Sequence, residues 1–97
     1  MNDIVYSISE IKSIVEPVAR EYGVEAMYLF GSYAKGNANA RSDVDFRVDR
    51  GDARGIRFGG LLIDLEEALE KRVDLLTTSS LDEAFIQLIA NEEIRVY

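Results

Sequence analysis

Apolar and polar positions alternate along the chain in two distinct rhythms. Ile8, Ile11, Val15, Val18 and Tyr22 recur at helical spacing. Ser7 stands before them and Glu10 three residues on, a capping-box pattern that predicts a helix start at Ser7. Pro17 falls inside this helix, where it removes the bond to the Ser13 carbonyl and predicts a kink. Gly23 is the expected stop. The run AMYLF, Ala26 to Phe30, reads as a short buried strand. From Val44 to Val48 the rhythm changes to strict alternation. Val44, Phe46 and Val48 take one face, and Asp43, Asp45, Arg47 and Asp49 the other, as in a half-buried strand.

Arg50 to Gly60 contains four glycines and reads as a loop. Leu61 to Arg72 follows as a helix, with Leu61, Leu62, Leu65, Ala68 and Leu69 as its apolar stripe. Lys71 and Arg72 would complement the dipole of its last turn. Val73 to Thr77 predicts a third strand. A second capping box, Ser80 to Glu83, opens a helix with Leu81, Phe85, Leu88 and Ile89 on its apolar face, ending near Asn91. The last residues, IRVY, suit a short strand or a docking tail. The predicted order is helix, strand, helical turn, strand, helix, strand, helix. The fold class that follows is α/β (or α+β): one small mixed β-sheet with helices packed against it, in a single domain over residues 1–97.

Composition narrows the chemistry. The chain has no cysteine and no histidine, so disulfides, thiolate chemistry and imidazole zinc sites are excluded. A metal here must be held by oxygen, which selects magnesium, manganese or calcium. The N-terminal MNDIVYSISE has neither a basic segment nor an apolar core, and no apolar run reaches membrane-span length. A cytoplasmic setting without membrane contact is the expectation. The net charge of −7 argues against stable nucleic-acid binding. Basic residues nevertheless gather between Lys35 and Arg57, which suits either a solvated loop or a polyanion site.

That region holds the candidate site. Gly31 follows a buried strand directly, and Ser32 begins a short helical turn. The pair is either a turn that needs glycine or a place where backbone approaches phosphate. Asp43 and Asp45 share one strand face, with Cα atoms about 6.6–7 Å apart. Their carboxylates can converge on hard cations, or they can line an exposed polar face with Arg47 pairing to a neighbour. Asp74 interrupts an otherwise apolar strand. It is either a strand-edge residue or, if that strand lies beside Val44–Val48, the third member of a carboxylate cluster.

Taken together, GSYAKGNANARSDVDFRV and the later VDLL resemble the minimal nucleotidyltransferases of the polymerase-β-like superfamily. The resemblance covers most of the chain. It implies the palm-like nucleotidyltransferase fold and assigns roles. Gly31 and Ser32 would hold the β- and γ-phosphates of ATP. Asp43, Asp45 and Asp74 would bind two Mg2+ ions, with Asp74 helping to activate the attacking hydroxyl. Lys35 stands where many relatives carry arginine; it keeps the charge but not the bidentate fork. Arg47 would contact phosphate or, in the preferred reading, pair with Asp45 and Asp49. Arg50, Arg54 and Arg57 would clamp the triphosphate, meet an acidic partner or be solvated.

Larger relatives carry extra domains for their acceptors, whereas this sequence has only a short segment after the third strand. It therefore resembles the antitoxin half of toxin–antitoxin pairs whose partner is a HEPN ribonuclease. The implied activity is transfer of AMP to a hydroxyl of that toxin. The alternative is a binding module that neutralises its partner by occlusion and keeps a relict or nucleotide-sensing site. Exposed strand edges in so small a domain also leave room for a homodimer.

Overall fold

In the computed structural model, which describes residues 2–97, the first helix begins where the capping residues place it. Ser7 Oγ accepts from the Glu10 N–H at 3.1 Å, and the Glu10 carboxylate accepts from the Ser7 N–H at 2.8 Å. Helix α1 then spans Ile8–Glu21 and runs through Pro17 without a break. Pro17 is on the exposed side of the helix, so the carbonyl it leaves unpaired can turn to water.

Strand β1 (Ala26–Phe30) leads directly into the one-turn helix α2 (Gly31–Lys35), which Gly36 closes in a left-handed conformation. Strand β2 covers Val44–Asp49, helix α3 Ile56–Leu69 and strand β3 Val73–Thr77. A 3-10 turn at Thr78–Ser80, helix α4 (Glu83–Ala90) and the short strand β4 (Ile94–Arg95) complete the chain. The strands form one mixed sheet in the order β3-β2-β1-β4. β1 is antiparallel to β2 and β4, while β2 and β3 are parallel. A parallel pair needs a crossover, which α3 supplies.

The alternation in β2 settles which face is covered. Val44, Phe46 and Val48 are fully buried with Met27 and Leu29 of β1. Above them lie Ile11, Val15 and Ala19 of α1 and Leu61, Leu65 and Leu69 of α3. The opposite face carries Tyr28, Asp45 and Arg47, and is covered only at one side, where Phe85 of α4 meets Phe30 edge-on at 6.2 Å. The fold class read from the sequence is the one observed.

Three helix boundaries differ from the sequence reading. α3 starts at Ile56, not Leu61, and includes Gly59 and Gly60. Glycine disfavours a helix interior by about 1 kcal/mol, so packing must override it. A Cβ on Gly60 would stand 2.9 Å from Tyr22 Oη, the hydroxyl that donates to Asp64 at 2.6 Å; the glycine lets α3 sit close to the end of α1. The helix also ends earlier, at Leu69, because Glu70 turns left-handed at φ 53°. Lys71 therefore does not serve the helix dipole. It is buried and donates to the carbonyls of Asn2 and Ala40 at 3.0 and 2.9 Å. At α4 the N-cap is Asp82, which accepts from the Phe85 N–H at 2.8 Å, while Ser80 bonds back to the Thr77 carbonyl. Both residues suit a cap; the 3-10 turn uses Ser80 first.

Lys71 ties the N-terminal segment and the loop before β2 to one ammonium group. Lys71→Met leaves two carbonyls without their donor and should cost about 1–3 kcal/mol. Urea unfolding should show a lower midpoint; an unchanged midpoint would remove Lys71 from the stabilising network.

Candidate active site

The candidate acids come together because of strand register. In the parallel pair, Asp45 is directly opposite Asp74, and in the antiparallel pair it faces Phe30, the last residue before Gly31. Asp43 lies two residues earlier, at the entry to β2 and half-buried. Asp43, Asp45, Asp74 and Gly31 thus meet at one end of the sheet. Ser32 follows in the first turn of α2, and Lys35 ends that helix.

Gly31 is held at φ 74°, a conformation that side chains rarely adopt. A Cβ there would also stand 2.1 Å from Asp45 Oδ2. The glycine is therefore required twice, once by the backbone and once by the carboxylate packed against it.

The acids strain against one another electrostatically. Burial pushes the Asp45 carboxyl up to about 6, helped by its hydrogen bond with Asp74 and repulsion from Asp74 and Asp43. Among the described residues, no three acidic side chains already form a closed cage for a metal ion. The donors are nevertheless of the right kind. They are all carboxylate oxygens, and the burial and neighbouring acids that push the Asp45 carboxyl up mark a place that favours positive charge. Asp43, Asp45 and Asp74 supply the oxygen donors that a hard dication would need.

The remaining basic residues have other places. Arg47 is buried, and its Nε and Nη2 donate to the two oxygens of Glu93 at 3.0 and 2.7 Å. Its Nη1 donates to Thr78 Oγ1 at 2.7 Å, and its guanidinium lies 4.1 Å from the Tyr28 ring centre. Arg47 is a pairing residue, as its place on the strand suggests, but its main partner is Glu93, with Asp49 farther off at 3.9 Å and, among the described residues, no ion pair to Asp45. Lys35 is half-exposed, 3.5 Å from Glu92 Oε2. Arg50 and Arg54 line a crevice of about 360 Å3 beyond the far end of β2, with Glu25, Thr78 and Ser79. Five residues of strand rise separate Asp45 from Arg50, roughly 16 Å. Arg57 lies over the Tyr22 ring at 5.2 Å. None of these three arginines lies beside the acids, and none of Asp43, Asp45 and Asp74 lines that crevice. A smaller one of about 200 Å3 opens beside Asp43, lined by Arg41, Lys71 and Arg72.

Glu92 and Glu93 are the site residues that sequence reasoning missed. They sit in the turn before β4, remote in sequence from every motif. The only signal was the pair of acids in ANEEIRVY.

Gly31 packed against Asp45, with Asp43 at the entry to β2 and Asp74 on the parallel neighbour, suits a nucleotidyltransferase. Residues 11–97 match the family described as Polymerase beta, Nucleotidyltransferase, and the chain belongs to that family. Its relatives include the protein adenylyltransferase MntA of Thermococcus cleftensis, 35% identical over 98 residues that cover 93% of this chain and 96% of that one. Among solved structures, a chain of a toxin–antitoxin crystal structure with AMP-PNP superposes with a TM-score of 0.74. It is 25% identical, and the match covers 89% of this chain and 72% of that one. A chain from the complex of tri-AMPylated Shewanella oneidensis HEPN toxin with MNT antitoxin shares the fold, with a TM-score of 0.69. Its identity is 22%, over 93% of this chain and 71% of that one.

The Asp45 carboxyl sets a pH dependence. Its protonated form contributes stability that is complete below the ordinary carboxylate value of 3.8 and is lost as pH rises through about 6. The loss should be roughly 1–2 kcal/mol after allowing for solvent screening of a half-exposed group. In EDTA, Asp45→Asn should therefore melt several degrees above the wild-type chain at pH 8, with the gap closing near pH 4. A gap that does not change with pH would show that the charge on Asp45 is not what strains the site.

Proposed function

We propose that this protein is a Mg2+-dependent nucleotidyltransferase that moves AMP from ATP to a hydroxyl on a partner protein, a HEPN-type toxin, and so acts as its antitoxin. The observation that carries the reading is the direct opposition of Asp45 and Asp74, with Gly31 packed against Asp45. The Thermococcus relative's name and the toxin–antitoxin neighbours support the choice of AMP and of partner. Among the described residues no helix is long and apolar enough to cross a membrane, which suits a cytoplasmic reaction.

Each residue has a role in this reading. The Gly31 N–H and Ser32 receive the β- and γ-phosphates, and Lys35 at the end of the same turn adds positive charge. Asp43, Asp45 and Asp74 hold the dications, which when bound neutralise charge on the phosphates. The partner's hydroxyl oxygen forms a bond to the α-phosphorus while the bond to the bridging oxygen breaks and pyrophosphate leaves. Asp74, exposed at the open sheet edge, accepts the hydroxyl proton. Arg47 acts at one remove, by fixing the turn that bears Glu93.

The test is transfer of label from ATP marked at the α-phosphate, with the purified protein and Mg2+ in an extract of the source cells. A labelled protein band should appear and should vanish with EDTA or with an Asp43→Ala/Asp45→Ala double variant. Asp74→Asn should lower the rate by about 100-fold or more, the usual scale for losing proton-transfer assistance. If the double variant instead still neutralises the partner in cells and no label moves with any nucleoside triphosphate, the protein acts by occlusion.

A further inference from the structure

The cradle already holds an anion of the protein's own. The Gly31 N–H donates to Glu92 Oε1 at 3.3 Å, and Lys35 Nζ lies 3.5 Å from Glu92 Oε2. One carboxylate thus engages both a main-chain donor and a cation that the triphosphate would use. Neither contact is short, and Lys35 is half-exposed, so the hold is weak enough to be exchanged.

Glu92 is placed there by its neighbour. Glu93 receives the two-pronged hydrogen bond of the buried Arg47, which itself is packed on Tyr28 and Thr78. Such a bidentate pair fixes orientation as well as position. The turn between α4 and β4 is therefore pinned to the open face of the sheet, and the next carboxylate along it meets the end of β1. Glu92 is 24% exposed at its side chain, so it is neither a solvated surface acid nor part of the core.

We infer that Glu92 is a built-in competitor for the nucleotide's phosphates, a carboxylate that occupies the Gly31–Lys35 donors until a triphosphate displaces it. The inference rests on the proposed nucleotide site. Its physical basis is charge. A carboxylate left in place would share donors with, and repel, a polyanion carrying several negative charges. A triphosphate must break both Glu92 contacts to enter, so the free chain binds nucleotide more weakly than its donors alone would allow. Only the Glu92 side chain has to swing away; Arg47 keeps Glu93 and the turn behind it in place.

The experiment is calorimetric titration with the magnesium complex of AMP-PNP on the full chain. Wild type is compared with Glu92→Gln and with Glu16→Gln, which removes one charge from the exposed side of α1. The expected result is binding about 3–10-fold tighter for Glu92→Gln, the effect of losing a modest charged contact of the competing state, and within about twofold of wild type for Glu16→Gln. Equal or weaker binding by Glu92→Gln, with wild-type binding intact, overturns the inference and leaves the nucleotide site standing. Equal tightening by both variants also overturns it, since net charge alone would then explain the gain. Absence of binding by all three chains overturns the nucleotide site and the inference with it.

Discussion

The structure depends on the parallel pairing of β2 with β3. It costs the fold a repulsion, because the register that buries Val44, Phe46 and Val48 also sets Asp45 beside Asp74. A slip of one residue would relieve the carboxylates but would turn the apolar face of β2 outward. Burying three large side chains is worth about 1.5–3 kcal/mol each, more than the repulsion of two partly solvated carboxylates. The core therefore holds the acids together.

The other parts of the site are arranged around that register. β1 pairs with β2 on the other side and ends opposite Asp45, so Gly31 arrives where a side chain has no room. On the far side of β1 the turn before β4 contributes Glu92 and Glu93. The sheet thus presents carboxylates on both flanks of a single main-chain cradle. One flank carries Asp45 and Asp74, while on the other the Glu92 carboxylate takes the Gly31 N–H. Arg47 sits between the two regions and is bound to the second, which explains why a basic residue on the acids' own strand face is buried and structural.

Several features are set by contacts that no local stretch of sequence displays. The helix at Ile56 was obscured by Gly59 and Gly60, which look like loop residues until Tyr22 is found packed against one of them. Lys71 looked like a helix-dipole residue because nothing local shows that Glu70 turns left-handed or that two carbonyls from distant segments await a donor. Arg47 was legible as a pairing residue but its partner was not, since Glu93 lies 46 residues away. Arg50 and Arg54 follow closely on the acidic strand in sequence, yet strand geometry carries them to the far end of the sheet.

What the sequence by itself determined was periodic or local. The alternation of β2, the capping box at Ser7 and the order of elements needed only nearest neighbours. So did the spacing of Asp43 and Asp45, which sets one acid on β2 and the other at its entry. Only the tertiary structure decided that Asp74 lies beside Asp45, that Glu93 takes Arg47, and that Glu92 reaches Gly31. These are contacts between segments far apart in sequence. They are fixed by which apolar faces can be buried together, and no local pattern encodes that choice.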